Sequence, residues 1–287
     1  EGKQAQLDWK ENIPFVLRSG ETININVLVL LLSFSRFRVY RLSLSKTQDI
    51  LFSLLNDALE TFGGVPEEIV TDNMKTVMDE ARTTYKKGKI NIKFDAFKKD
   101  FGFELLPCRA STPETKGKVE SQMKYLEEIR AYSGKLNLIE LYELIERINS
   151  RVNNSICQGN GKIPLIEFSK EKNSLLPLPH EPVRNQYRIK THEVKVNTAG
   201  MINVKTNQYS VPSKYIGKSV KYQIHDSNVH IYFNTKLIAV HALSNRKLNY
   251  SVDHYVDALS CKYIGKDTDE VKELAKHNLE LIGGTFK

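Results

Sequence analysis

The order of the predicted strands and helices in the first 150 residues constrains the fold more than any other feature of this sequence. Along the chain we predict strands at residues 4–9, 22–34 and 36–43, a helix at 50–62, a strand at 68–71, a helix at 94–101, a strand at 103–107, and helices at 116–132 and 138–151. The strands are rich in Ile, Val and Leu, whereas the apolar residues of the helices recur with helical spacing. The sequence therefore predicts an α/β fold, a mixed sheet with helices on its faces.

The second half of the chain follows a different pattern. Residues 174–186 contain Pro177, Pro179 and Pro182, and proline interrupts helices and strands alike. After this segment, short alternating runs between turn residues predict a small all-β barrel, and the last residues return to helical spacing. We therefore predict an α/β domain with a helical extension at 1–173, a Pro-rich linker at 174–186, a small β-barrel at 187–250 and a helical C-terminal segment at 251–287.

Membrane insertion, export and disulfide bonding are all unexpected for this sequence. The longest apolar run covers only residues 27–32, and no charged-then-apolar leader opens the chain. Cys108, Cys157 and Cys261 are too few and too far apart for a disulfide framework, and no histidines cluster with them as zinc ligands would. We therefore expect a cytoplasmic protein. The chain begins abruptly inside a predicted strand, so we also expect further residues upstream.

The excess positive charge is confined to one part of the chain. The net charge is +8 (42 basic and 34 acidic residues), and residues 188–247 carry ten basic residues against two acidic ones, which alone amounts to +8. Aromatic residues lie among the basic ones, a composition suited to a polyanion because Lys and Arg displace counterions from phosphates. Lys214, Lys218 and Lys221 are the candidates for DNA contact. A solvated basic surface and a docking surface for an acidic protein are the alternatives.

Three acidic residues stand at positions where a carboxylate is unusual. Asp8 lies inside the first predicted strand, and Asp72 ends the short buried strand after the first helix, where α/β folds often bind ligands. Glu120 lies beside the apolar stripe of the next-to-last predicted helix of this domain. Converging carboxylates repel one another and hard divalent cations remove that penalty, so a shared site would take Mg²⁺ or Mn²⁺. Spacing alone leaves an alternative open, in which Asp8 is an edge-strand residue, Asp72 forms a turn and Glu120 is a solvated helix acid.

Several motifs, in order along the chain, resemble those of insertion-sequence transposases of the IstA type. They are Gln4–Trp9, Ser35–Arg36, Phe62–Pro66, Asp72–Lys75, Lys116–Glu120, Pro164 with Phe168, Leu176–Pro179, and Tyr209–Pro212 with Gly217 and His241. Each motif is weak alone, but the ordered set spans most of the 287 residues. Residues 154–162 depart from the family, which usually has a histidine-containing run at this point, and we assign them no role.

The resemblance implies a ribonuclease-H-like core of the retroviral-integrase superfamily, followed by a small β-barrel like that of Mu-type transposases. Asp8, Asp72 and Glu120 would form its DDE motif and hold two Mg²⁺ or Mn²⁺ ions. The implied activity is metal-dependent cleavage at the 3′ ends of the element and strand transfer of each 3′-OH into target DNA. Implied partners are DNA (terminal inverted repeats and target), further copies of the chain on the paired ends, and an AAA+ ATPase helper, all at the bacterial nucleoid. Family members also carry helix-turn-helix modules upstream.

Basic residues beside the three acids are further candidates for DNA binding. Lys75 follows Asp72, and Lys116 and Lys118 precede Glu120. Each could contact a phosphate, or be an ordinary surface lysine. Two other functions stay open, a catalytically silent DNA-binding scaffold and an RNA-directed ribonuclease-H-like nuclease, and the nuclease would prefer RNA–DNA hybrids to duplex DNA.

Overall fold

The chain divides into two compact units, each described separately. The computed structural model describes residues 1–80, 88–108, 124–260 and 268–285. The first unit is Glu1–Arg188 and the second is Ile189–Lys287. None of the described helices is both long enough and apolar enough to cross a lipid bilayer.

The first unit is built on a five-stranded sheet with helices on both faces. Its elements are β1 (Gln4–Val16), β2 (Thr22–Leu32), β3 (Arg38–Ser43), α1 (Gln48–Phe62), β4 (Glu68–Thr71), β5 (Met78–Glu80), β6 (Lys89–Ile90), α2 (Ile92–Phe101), β7 (Glu104–Pro107), a 3-10 helix (Lys124–Tyr132), α3 (Leu138–Asn154), α4 (Pro164–Glu171), a 3-10 turn (Lys172–Ser174) and α5 (Glu181–Gln186). The strand order is β3-β2-β1-β4-β7, and β5 pairs with β6 in a separate ribbon. β1, β2 and β3 are antiparallel neighbours, whereas β4 and β7 run parallel to β1. The predicted mixed α/β architecture is confirmed.

Two predicted elements differ from the structure. The first strand continues to Val16 instead of ending at Trp9, because it crosses an irregularity between Lys10 and Ile13 and keeps pairing with β2. Residues 109–123 lie outside the described residues, and with them the start of the helix predicted at 116–132. The described end of that helix, residues 124–132, is a 3-10 helix and not an α-helix.

Alternation along β1 sorts its side chains onto the two faces of the sheet. Ala5, Leu7 and Trp9 pack with residues of α1 and α2 in one apolar core. On the opposite face, residues of β2, α3 and the 3-10 helix form a second core that includes Val29. β2 is thus buried on both faces, which explains why the apolar run at residues 27–32 does not alternate.

Two asparagines of α3 cover one edge of the sheet. Asn149 accepts a hydrogen bond from the backbone N–H of Tyr40 (2.8 Å) and donates one to its carbonyl oxygen (2.9 Å). One helical turn further, Asn153 forms the same pair of bonds with Arg38, at 3.1 and 2.8 Å. Because these side chains satisfy the outward-facing backbone of β3, helix α3 takes the place of another strand at this edge.

The Pro-rich segment predicted as a linker packs on the first unit. Val65 and Leu176 exchange backbone hydrogen bonds of 2.9 and 2.8 Å, and Leu175, Leu176 and Leu178 pack against the core on the α1 side. The ring of Tyr187 lies 4.7 Å from that of Phe97, centre to centre. These leucines bury apolar surface that the prolines alone would not bury. The boundary between the two units therefore falls after this segment, at Arg188.

The second unit contains two sheets and two helices in its described part. Its elements are β8 (Thr191–Lys195), β9 (Met201–Val204), β10 (Asn207–Ser210), a 3-10 turn (Ser213–Tyr215), β11 (Ser219–His225), β12 (Asn228–Phe233), β13 (Lys236–Ala242), β14 (Leu248–Asn249), α6 (Val252–Ser260) and α7 (Thr268–Thr285). The strand orders are β13-β12-β11-β8 and β14-β10-β9, and one apolar core contains residues of both sheets. The predicted small β-barrel is not confirmed, because in the described residues the sheet β14-β10-β9 shares no strand pairing with the larger sheet.

Candidate catalytic site

Asp8 and Asp72 come together because β1 and β4 are parallel neighbours. The last pair in their ladder is Leu7 with Thr71, and the next residue of each chain segment is the aspartate. Both carboxylates therefore lie on the sheet face opposite α1, the face to which Gln6 and Val70 also belong. Both are half-buried. The fold thus brings together two of the three acids that the sequence singles out.

Backbone hydrogen bonds hold the turn that follows Asp72. The N–H of Met74 donates to the carbonyl oxygen of Asp72 (2.8 Å), and the N–H of Cys108 donates to that of Thr71 (2.8 Å). The side-chain amide of Asn73 donates to the carbonyl oxygen of Cys108 (3.1 Å). These bonds join the ends of β4 and β7, so the carboxylate of Asp72 projects from a braced strand end.

The 3-10 helix returns the chain to the face that carries Asp8. Leu126 and Ile129 are buried in the core on that face. Lys10, two residues beyond Asp8, forms an ion pair with Glu127 of this helix. The hydrogen bond from Lys10 lowers the pKa of Glu127, with a smaller contribution from the positive charge of Arg130. The 3-10 helix therefore lies beside β1 at Glu127.

The remaining predicted residues of this site are placed only in part. Glu120, Lys116 and Lys118 lie outside the described residues. Lys75 is exposed, three residues after Asp72. Among the parts of the chain that the structure describes, no three His, Cys, Asp or Glu side chains are grouped as metal ligands.

The predicted DNA-binding lysines of the second unit do not form a single cluster. The ammonium of Lys214 lies 5.3 Å from the ring centre of Tyr215, and that of Lys218 lies 5.5 Å from the same ring and 5.1 Å from the ring of Phe233. Lys221 is in β11, directly across from Glu193 of β8. The structure thus groups Lys214 with Lys218 around aromatic rings, and places Lys221 beside an acidic residue.

Buried histidines of the second unit carry strongly shifted pKa values. The rings of His225 and His230 stack with centres 4.0 Å apart, and burial lowers the pKa of His225 to about 4. The pKa of His254 is also lowered to about 4 by burial, with a smaller contribution from His241. Ser210 Oγ lies 3.0 Å from Nδ1 of His254, which fixes α6 to β10. These histidines are neutral structural groups near neutral pH.

Arg38 is a charged residue of the first unit that the sequence pattern does not single out. It opens β3 and is 1% exposed, on the same sheet face as Asp8. A signal was available, since a charged residue rarely lies inside so apolar a strand without a partner.

Comparison with known proteins shows the family of the chain. A family model described as the C-terminal domain of Mu transposase matches residues 178–253. The transposase for insertion sequence element IS232 of Bacillus thuringiensis subsp. berliner is 51% identical over 286 residues, which cover 100% of this chain and 66% of that protein. A putative transposase for insertion sequence element IS5376 of Geobacillus stearothermophilus is 30% identical over 226 residues, 76% of this chain and 53% of that protein.

The chain spans about half to two thirds of the length of these relatives. A solved simian T-cell lymphotropic virus intasome, in complex with PP2A regulatory subunit B56 gamma, matches with 15% identity and a TM-score of 0.46 over 85% of this chain and 80% of that one. By its sequence relatives, the chain belongs to the insertion-sequence transposases, the family that its motifs resemble.

Proposed function

We propose that the chain contains the catalytic core of a DNA transposase, with a ribonuclease-H-like first unit and with Asp8, Asp72 and Glu120 as its catalytic acids. The observation that carries the proposal is the side-by-side placement of Asp8 and Asp72 on parallel strands. Their separation in sequence is large, and only this strand order makes them neighbours.

The donor chemistry of the site fits a hard divalent cation. Two adjacent, half-buried carboxylates repel each other, and oxygen ligands favour Mg²⁺ or Mn²⁺. Asp8 and Asp72 would hold two such ions together with Glu120. When bound, the ions would activate the attacking oxygen and stabilise charge on the leaving oxygen of a phosphodiester.

The residues of the site bind and orient the reactants in two successive displacements. In the first, water forms a bond to phosphorus at the end of the element and the bond to the 3′ oxygen breaks, which leaves a free 3′-OH. In the second, that hydroxyl attacks a target phosphodiester and displaces a second 3′ oxygen. β1 and the braced end of β4 hold Asp8 and Asp72 rigid, so their orientation requires little reorganisation during reaction. Lys75, Lys116 and Lys118 would contact the phosphates that flank the reacting one.

The second unit would add affinity for DNA. Lys214 and Lys218 lie together in a segment whose net charge is +8, and such a surface attracts any duplex regardless of its sequence. We propose terminal inverted repeats and target DNA as substrates, several copies of the chain on the paired ends, and an AAA+ ATPase helper as a partner. The motif resemblance and the transposase relatives support these assignments.

A joining assay with labelled element ends, plasmid target and Mg²⁺ tests the proposal. Asp72→Asn should abolish cleavage and joining and leave binding of the ends nearly unchanged, because it removes a metal ligand and little DNA contact. The double variant with Asp8→Asn should be no worse than either single one, since the acids act as a unit.

Asp49→Asn is the matched control for this assay. It makes the same chemical change at an exposed position in the first turn of α1, on the other face of the sheet, and it should join ends at the wild-type rate. Wild-type joining by Asp72→Asn would refute the catalytic assignment. Tight binding of ends without any cutting by the wild-type protein would favour the silent scaffold instead.

A further inference from the structure

Two arginines of the first unit have guanidinium nitrogens that the described residues leave unsatisfied. Nη1 and Nη2 of Arg38 are buried and have no hydrogen-bond partner in the described ranges. Nε of Arg38 donates to the carbonyl oxygen of Arg36 at 3.0 Å. Nη1 of Arg36 is also buried and lacks a partner within the same ranges. A buried guanidinium whose nitrogens lack hydrogen-bond partners destabilises the folded state unless an anion pairs with it.

The surroundings of these arginines are suited to an anion. The guanidinium carbon of Arg38 lies 5.5 Å from the ring centre of Tyr125, and the ammonium of Lys124 lies 5.7 Å from the same ring. Lys124 is exposed and Arg36 is half-buried, so the buried guanidinium of Arg38 has basic neighbours that reach the surface. The buried carboxylate of Glu171, which contacts the same loop, is already engaged by two backbone N–H groups at 3.0 Å each.

The backbone at Arg36 is unusual for an arginine. Its φ is 62°, in the left-handed region where glycine and asparagine are favoured. A large side chain at such a position costs free energy that a smaller turn residue would avoid. The turn between β2 and β3 therefore keeps an arginine where its local conformation favours another residue, as expected if the side chain has a role.

Strand pairing places Arg38 on the face that carries the catalytic acids. Arg38 pairs with Leu31 and Leu31 pairs with Gln6, so all three lie on one face, and Asp8 follows two residues later on that face. With neighbouring strands about 4.8 Å apart and a rise of about 3.3 Å per residue, the α-carbons of Arg38 and Asp8 are roughly 12 Å apart. A nucleic-acid strand bound at Asp8 would therefore pass close to the arginines.

We propose that Arg36 and Arg38 form a phosphate-binding site, which takes a backbone phosphate of the DNA strand that reacts at Asp8 and Asp72. Guanidinium groups bind the non-bridging oxygens of a phosphate in a bidentate manner, which a lysine cannot reproduce. The two arginines are positioning residues: they fix the register of the strand and take no part in bond breaking. This inference rests on the proposed function for the identity of the strand, but the anion site can be tested without catalysis.

The first experiment measures the thermal unfolding of the metal-free chain with and without inorganic phosphate. Phosphate should raise the Tm of the wild type and of the exposed control Arg18→Gln, but not that of Arg38→Met or Arg36→Asn. Without phosphate, Arg38→Met should unfold at the wild-type temperature or above it, because an uncompensated buried charge is removed. Arg36→Asn tolerates the left-handed backbone, and so tests the site even if Arg38→Met fails to fold. An equal Tm increase in all variants would overturn the site.

The second experiment measures the salt dependence of duplex DNA binding by the same variants in an Asp72→Asn background. Each of Arg36→Asn and Arg38→Met should reduce the slope of log K against log salt by about 0.9, the value for one phosphate contact. The double variant should show the same reduction, because both arginines bind one phosphate. If the variants leave the slope unchanged although the wild type binds inorganic phosphate through the arginines, DNA is refuted as the ligand in favour of a free or peptide-borne phosphate.

The two experiments separate failure of this site from failure of the proposed function. Joining that is lost in Asp72→Asn but unchanged in Arg36→Asn, with equal DNA affinity, would leave the catalytic proposal standing and refute the phosphate site. A wild-type chain that binds inorganic phosphate through the arginines but joins no ends would support the site and contradict the catalytic proposal.

Discussion

Replacement of Asn149 by alanine should destabilise the first unit far more than a surface substitution does. The side-chain amide makes two hydrogen bonds to the backbone of Tyr40, at 2.8 and 2.9 Å, and Tyr40 is 0% exposed. Alanine would leave one N–H and one carbonyl group buried without a partner, and each such group costs about 1–3 kcal/mol. We therefore expect the free energy of unfolding to fall by roughly 2–6 kcal/mol.

Urea unfolding followed by tryptophan fluorescence measures this loss. Trp9 is the single tryptophan of the chain and is buried in the first unit, so its emission reports on that unit. Asn154→Ala is the matched control, on the same helix. The side-chain amide of Asn154 donates a hydrogen bond to the carbonyl oxygen of Ser150 at the exposed end of the helix. Asn154→Ala should therefore change the free energy of unfolding by no more than about 0.5 kcal/mol. If Asn149→Ala were as stable as Asn154→Ala, the account of the β3 edge would be wrong.

Three further outcomes are expected. The second unit should lose stability as the pH falls from about 6.5 toward 4. Burial lowers the pKa of His225 and His254 to about 4, whereas in the unfolded chain these histidines take up protons already below their ordinary pKa. Thermal unfolding across this pH range measures the loss, and a Tm that does not change with pH would contradict it. Gly64→Ala should lower the free energy of unfolding in urea by about 1–3 kcal/mol, since the new Cβ would lie 2.6 Å from Cβ of Leu175. An unchanged urea midpoint would mean that the Pro-rich segment is not tightly packed. Lys218→Glu should weaken binding to every duplex sequence and flatten the log–log salt dependence by roughly one unit, and an unchanged slope would favour a protein-docking surface.

The periodicity of the sequence predicts most elements of the first unit but not their neighbours. The change from strand spacing to helical spacing at Ile50 and the short strand at 68–71 correspond to α1 and β4. No local pattern says that β4 lies beside β1 and not beside β3. That choice depends on packing between distant segments, and it is the choice that makes Asp8 and Asp72 neighbours.

Two other features escape local patterns for different reasons. Proline content predicts a linker at 174–186, yet Leu175, Leu176 and Leu178 pack against the core of the first unit, because the burial of apolar surface outweighs the local preference for an open segment. Arg38 is evident in the sequence only as a charge in an apolar strand. The two terminal nitrogens of its guanidinium are buried and have no partner among the described residues, a condition that depends on β3, α3 and the 3-10 helix together and is visible only in the folded chain.

Manganese binding by the wild-type chain and its carboxylate variants tests the central claim most directly. Isothermal titration calorimetry with Mn²⁺ needs neither DNA nor a helper protein, and it reports on the site formed by Asp8 and Asp72. We expect measurable Mn²⁺ binding by the wild type and by Asp49→Asn, and an affinity at least about 10-fold lower for Asp8→Asn and for Asp72→Asn, since each variant removes a charged ligand. Equal Mn²⁺ affinity in Asp72→Asn and in Asp49→Asn would contradict the assignment of this strand end as the metal site.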